Sequence, residues 1–162
     1  MKAVGPLFLD DLKKELEEIK AITVNRTRDA KLRAFQKKIA GLRFLDPACG
    51  SGNFLCSVYI ELRKLENTVI SLLNRDQIML DMGNPIQVSI NHFAGIEIHD
   101  FAVTVARTSL WIAESQMMKQ TEDVVHMNLD FLPLKTAANI VEGNALRMDW
   151  ESVAPKHELN YI

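Results

Sequence analysis

Apolar residues recur along this chain in two rhythms, one of three and four residues and one of two, and the changes between them set out the elements. Leu9, Leu12, Leu16 and Ile19 stand at helical spacing and predict an amphipathic helix over 9–21. Asp10 and Asp11 sit near the positive end of its dipole. The polar stretch 23–28 lacks a clear period and reads as a loop. Leu32, Phe35 and Ile39 mark a second helix, which Gly41 stops. Phe44 and Leu45 then form a short apolar run into Asp46. Leu55, Val58, Leu62, Leu65, Val69 and Leu72 predict a long helix over 52–73. Its stripe would lie on a sheet, with Glu61, Arg63, Lys64 and Glu66 on the exposed face.

Period two returns at Ile86, Val88 and Ile90. With the turn residues Gly83, Asn84 and Pro85, it predicts a hairpin between 77–82 and 86–90. Residues 93–98 read as a buried strand ending in an acid, followed by Asp100 as a helix N-cap. Ala102, Val105, Ala106, Ser109, Ile112 and Ala113 would form the inner face of that helix. Residues 119–138 read as mostly loop, broken at Leu132-Pro133-Leu134. Ile140-Val141-Glu142 begin a third strand, closed by Gly143-Asn144-Ala145-Leu146, and residues 159–162 look like a strand cut off as it starts. Strand–loop–helix units in succession predict an α/β fold with a parallel sheet.

Composition narrows the class without naming a chemistry. The 162 residues, 48% hydrophobic and 25% charged, suffice for one domain with a substantial core. No run approaches the roughly 18 apolar residues of a membrane span, and the Lys-containing start is not a secretory signal. The expectation is a chain with no membrane role. Cys49 and Cys56 lack metal-ligand spacing and read as reduced, cytoplasmic packing thiols, with Cys49 open to alkylation in its loop. His92, His99, His126 and His157 show no mutual spacing for a metal or a triad. The net charge of −2 hides an asymmetry: residues 1–43 carry eleven Lys/Arg against six Asp/Glu, whereas 44–162 carry eight against fifteen. Arg26, Arg28, Lys31, Arg33, Lys37, Lys38 and Arg43 make up most of that excess. Such a run suits a phosphate backbone, but a solvated helix face is the commoner meaning and the preferred one here.

The chemistry concentrates in Leu45-Asp46-Pro47-Ala48-Cys49-Gly50-Ser51-Gly52-Asn53-Phe54-Leu55. A strand, an acid, a turn with two glycines and a helix bring backbone N–H groups close to a ligand. In an open α/β sheet ligands bind beyond the carboxyl ends of the strands, and those ends carry Asp46, Glu97 and Asn144. An acid there can accept from ribose hydroxyls or an ammonium, and an amide can meet an adenine edge. A dinucleotide fold wants a third glycine where this chain has Leu55, and its acid about 20 residues on, whereas Glu97 lies roughly fifty residues past the loop. A P-loop wants Gly-Lys-Ser/Thr, which is absent from this loop.

Three separate stretches resemble the adenine-N6 DNA methyltransferases, most closely those of the large bifunctional restriction–modification kind. Residues 44–55 resemble motif I, 93–98 with the following helix resemble motif II, and 140–146 with Asp149-Trp150 resemble motif III. The resemblance implies a class I S-adenosylmethionine-dependent methyltransferase core, Rossmann-like in form. It divides the chain into an N-terminal helical segment, 1–43, and a partial core, 44–162, that ends before the catalytic motif. It implies S-adenosyl-L-methionine as cofactor, held by Asp46, Pro47, Ala48, Cys49, Gly50 and Gly52 at its methionine end. Glu97 would take the ribose hydroxyls, Ile98 would pack on the adenine, and Asn144 and Ala145 would face the adenine amino group. Many relatives carry Asp where this chain has Asn144, which keeps the acceptor and loses the charge.

The family's catalytic Asn/Asp-Pro-Pro-Tyr/Phe should follow a strand like Leu159-Asn160-Tyr161-Ile162, so the expectation is an incomplete piece of the enzyme, inactive alone. DNA would be the partner of the full enzyme. The implied sheet order 3-2-1-4-5 leaves Phe44-Leu45 on an open edge, which predicts self-association of the chain. Two other readings stand beside this one. The chain is a cofactor-binding or interaction module completed by another polypeptide, or a methyltransferase of RNA or of protein glutamine.

Overall fold

The computed structural model describes residues 8–74, 85–126 and 138–162. Four helices and three strands follow one another as α1 (Asp10–Lys20), α2 (Asn25–Ala40), β1 (Phe44–Asp46), α3 (Asn53–Asn74), β2 (Phe93–Glu97), α4 (Asp100–Val125) and β3 (Asn139–Glu142). The strands form one parallel sheet in the order β1-β2-β3, with Phe44 level with Phe93 and Gly95 level with Ile140. Both crossovers step the same way across the sheet, so α3 and α4 cover the same face and pack on each other.

Period two along the strands sorts their side chains between two apolar layers. Phe44, Phe93 and Ile140 point into the larger layer with α3, α4, α1 and α2, while Leu45, Ala94, Ile96 and Val141 meet Met148, Trp150, Val153 and Leu159 on the other face. The connection after β3 therefore covers the second face without a long helix, using short 3-10 turns at Trp150–Ser152 and Lys156–Glu158.

Tyr161 forms a parallel bridge with Phe44, and Leu45 N–H donates to Tyr161 O at 3.0 Å. Residues 159–162, expected as the start of a strand, thus begin a fourth strand of the sheet. It also occupies the β1 edge that was expected to lie open.

Several elements differ from the sequence expectation, each for a physical reason. Asn25–Arg28 belongs to α2: Arg28 N–H already donates to Val24 O, and the weak period came from a turn whose outer side is all polar. Gly41 ends α2 at φ −83, without the left-handed turn that favours glycine. Asp100 is the first residue of α4 rather than its cap, which is His99. The inner face of α4 is Val103, Ala106, Leu110, Ala113 and Met117, so Ile112 is exposed, and the helix runs on to Val125 where a loop was expected. Residues 86–90 form no strand. The other arm of the expected hairpin, and the Leu132-Pro133-Leu134 break, lie outside the described residues.

The reason that 86–90 is not a strand lies on α3. Arg63 and Glu66, placed on the exposed face by the sequence, are 1% and 0% exposed and paired with each other. Glu66 accepts from Gln36 Nε2 of α2 at 3.0 Å, from Gln87 N–H at 2.7 Å and from Val88 N–H at 3.2 Å. Arg63 reaches across to Thr121 Oγ1 of α4 at 2.7 Å. One buried carboxylate thus takes the amides that a neighbouring strand would have taken, while Val88 and Ile90 supply a period-two pattern by packing into the core.

Candidate functional site

All three strands end at one edge of the sheet, and the loops leaving them are tied together by hydrogen bonds. After β1 the chain turns tightly: Asp46 Oδ1 accepts from Ala48 N–H at 3.0 Å, an Asx turn, and Gly52 N–H donates to Cys49 O at 2.8 Å. Gly50 at φ +52 and Gly52 at φ +79 occupy the left-handed region that side-chain-bearing residues resist. The two glycines serve different ends. A Cβ at Gly52 would lie 3.1 Å from Ala106 Cα and Cβ, so this glycine lets α4 close on the loop. A Cβ at Gly50 would meet nothing within 4 Å, so the space beside this half-buried glycine is open.

The β2 end receives that loop. Cys49 N–H donates to Ile96 O at 3.1 Å, and Gly50 N–H donates to Glu97 Oε2 at 2.9 Å. The other oxygen of Glu97 accepts from His99 N–H at 3.0 Å. The Glu97 carboxyl is held below the usual carboxylate range, first by the His99 amide, against desolvation, and with the amides of Gly50 and Ile98 adding to the lowering. Glu97 is therefore an oriented anion with acceptor capacity left on both oxygens. Beside it Ile98 is 56% exposed, an apolar side chain standing where a flat ring could rest.

The third strand end is joined through Gly143, whose N–H donates to Glu97 O at 2.8 Å. Asn144 Oδ1 accepts from Leu146 N–H at 3.0 Å, which orients the amide. Ala145 O accepts from the Trp150 indole at 2.7 Å, so Trp150 is fixed to the scaffold and is no free base-stacking group. Phe101 at 78% and Leu146 at 93% exposure add apolar surface next to these ends.

Asp46 and Glu97 end β1 and β2, and Pro47, Ala48, Cys49, Gly50, Gly52, Ile98, Asn144 and Ala145 lie in the loops that follow the strands at the same sheet edge. Glu97 is bonded directly to the glycine loop and, through its carbonyl, to the β3 loop. Cys49 departs from expectation in its reactivity. Its thiol is buried and pushed up to about 11, first by burial and then by the charges of Asp46 and Glu97, so it packs and is a poor target for alkylation. Two residues important to the geometry were missed in the sequence. Gly95 leaves room for Cys49, since a Cβ there would lie 2.8 Å from Cys49 Sγ, and a glycine inside a buried strand is the signal that marks such an approach. His99 contributes only its amide, for which no sequence signal exists.

Surface hollows among the described residues include two away from the glycine loop. One of about 430 Å³ sits between α1 and α2 at Ile19, Lys31 and Phe35, and one of about 420 Å³ at Trp150, Leu159 and Ile162. No helix among the described residues is long and apolar enough to cross a membrane.

Comparison with known proteins gives a consistent picture. The family described as MmeI, DNA-methyltransferase domain, matches residues 21–162. DNA methyltransferase A of Bacillus subtilis (strain 168) is 41% identical over 157 residues, covering 96% of this chain and 17% of that protein. A putative type II restriction enzyme and methyltransferase of Methanocaldococcus jannaschii is 35% identical over 82 residues, covering 51% of this chain and 7% of its own. Among solved structures, the type IIL restriction–modification enzyme MmeI in complex with DNA superposes with a TM-score of 0.85 at 40% identity, over 98% of this chain and 20% of that one. The chain spans a fifth or less of the length of these relatives.

Proposed function

Since the chain belongs to the MmeI DNA-methyltransferase domain family, we propose that its strand-end site binds S-adenosyl-L-methionine as part of an adenine-N6 DNA methyltransferase of a restriction–modification system. The observation that carries this reading is the Glu97 carboxylate, held between the Gly50 and His99 amides beside exposed Ile98. Glu97 would accept from the ribose hydroxyls, and Ile98 would pack on the adenine. Asn144 and Ala145 would meet the adenine edge. The Asp46–Pro47–Ala48–Cys49–Gly50 turn, with Gly52 behind it, would face the methionine end. The donor set suits the group: a left-handed glycine with open space at its Cβ position for close backbone approach, an oriented anion for a diol, and an apolar side chain for a ring. When bound, the sulfonium supplies an electrophilic methyl group, and the share of this chain is binding and orientation.

The choice of adenine N6 rests on the motif resemblance, and DNA as substrate is supported by the names of the similar proteins. The 162 residues contain no Asn/Asp-Pro-Pro-Tyr/Phe string, so the chain by itself would bind cofactor weakly and transfer no methyl group. A cytoplasmic setting belongs to the same proposal. Self-association would require opening of the Tyr161 bridge, because the β1 edge otherwise has a partner.

Amide shift mapping tests the reading. Titrated S-adenosyl-L-methionine should move the Gly50, His99 and Ala145 amides and leave Ile19 and Phe35 still. Shifts confined to the α1–α2 hollow, or absent altogether, would refute it. Labelled cofactor with DNA should give no methylated adenine.

A further inference from the structure

Residues outside the strand-end site hold the first residues of a fourth strand in place. Tyr161 lies in a stack of rings: Phe8 at 4.3 Å and Phe44 at 5.2 Å, with Phe93 at 5.0 Å beyond Phe44 and Tyr59 edge-on to Phe93 at 5.6 Å. Phe8 is buried at the turn leading into α1 and also reaches Phe44 at 5.5 Å. Four further ties join the same segment to the residue before β1, one of them from Asn160 N–H to Arg43 O at 3.1 Å. Arg43 N–H donates to Asn160 Oδ1 at 2.8 Å, Tyr161 N–H donates to Arg43 O at 3.2 Å, and Arg43 Nε pairs with Glu158 at 3.2 Å. The backbone bonds are few for a strand pair, and all of them sit at Arg43–Leu45. Side-chain packing must therefore supply much of what fixes the register.

That register matters for the site. With Tyr161 level with Phe44, Ile162 is level with Leu45, and the chain runs parallel to β1 toward Asp46 and the glycine loop. We propose that Phe8 is a positioning residue for the strand that Tyr161 begins. Stacked on Tyr161, it locks that strand in register with β1 and joins the start of α1 to the sheet edge beside the strand-end site. The proposal rests on the strand-end reading for its purpose, while the clamp itself stands on ring geometry alone.

Hydrogen exchange on this chain separates the two. In F8A the amides of Leu45 and Tyr161, which bond across the ladder, should exchange at least tenfold faster. Those of Cys49 and Gly143, which bond to Ile96 O and Glu97 O, should change less than threefold, and S-adenosyl-L-methionine affinity should likewise change less than threefold. Should F8A not fold, Phe8→Leu keeps apolar bulk against the core while removing the stack, and the same split is expected at smaller amplitude. Four amides accelerating together would assign Phe8 to general stability and overturn the proposal, as would wild-type rates at Leu45 and Tyr161. If the parent chain fails to bind cofactor, the functional reading fails, but the exchange split still decides the clamp.

Discussion

At the scale of single residues, the site depends on glycines doing different work. Gly52 is both left-handed and pressed against Ala106, so Gly52→Ala should cost more than Gly50→Ala, where only the backbone penalty of about 1–2 kcal/mol applies. Urea denaturation of the two variants gives the order directly. Gly95→Ala would drive a methyl into Cys49 and Ile140 and should destabilise by about 1–3 kcal/mol. Adding Cys49→Ala should recover part of that loss, a coupling visible in a double-mutant cycle. Glu97 makes a pH prediction. Its carboxyl titrates below the ordinary 4.5, so the tether to Gly50 and His99 is present above the unfolded value and is lost as pH falls through the lower folded one. Cofactor affinity should therefore hold from neutral pH down through the ordinary carboxylate range and fall only below it. Glu97→Gln should lack that acidic limb. A limb centred at or above 4.5 in the parent chain would contradict the preorganised anion.

At the scale of elements, the buried Arg63–Glu66 pair joins α2, α3, α4 and the segment before β2. Glu66→Ala leaves a buried guanidinium and two backbone amides without their acceptor and should cost about 3–5 kcal/mol in denaturant titration. Replacing both, Arg63→Met with Glu66→Leu, should cost less than the single change, because no charge is stranded. The same pair explains why part of the fold was illegible in the sequence. Two opposite charges at i and i+3 on a helix look like a surface pair. Nothing local to 86–90 announces that a glutamate twenty residues earlier will take its amides. The strands and α1, α2 and α3 were readable because their apolar periods are regular. α4 was readable as a helix but not in its phase, since Glu114 and Thr121 are buried while Trp111 and Ile112 are exposed. That the glycine loop and the two acids meet at one sheet edge was legible, because glycines and acids at strand ends have few other uses. The backbone partner His99 was not, because any residue can donate an amide.

At the scale of the whole molecule, three parallel strands, a helical layer on one face and an irregular cover on the other place the glycine loop, Glu97 and the Asn144 turn at one edge. The sheet matches that of the MmeI enzyme closely, and the order β3-β2-β1 with Tyr161 beyond agrees with the order implied by the motifs. Ligand that binds only the folded chain should raise its unfolding temperature, with a gain that grows as the logarithm of concentration above the dissociation constant. The most direct measurement is a calorimetric titration of the chain and of Glu97→Gln with S-adenosyl-L-methionine, alongside a nicotinamide dinucleotide. The account predicts weak but saturable one-to-one binding of the methyl donor, weakened at least tenfold by Glu97→Gln, and no binding of the dinucleotide. Equal affinity in the two chains, or preference for the dinucleotide, would contradict it.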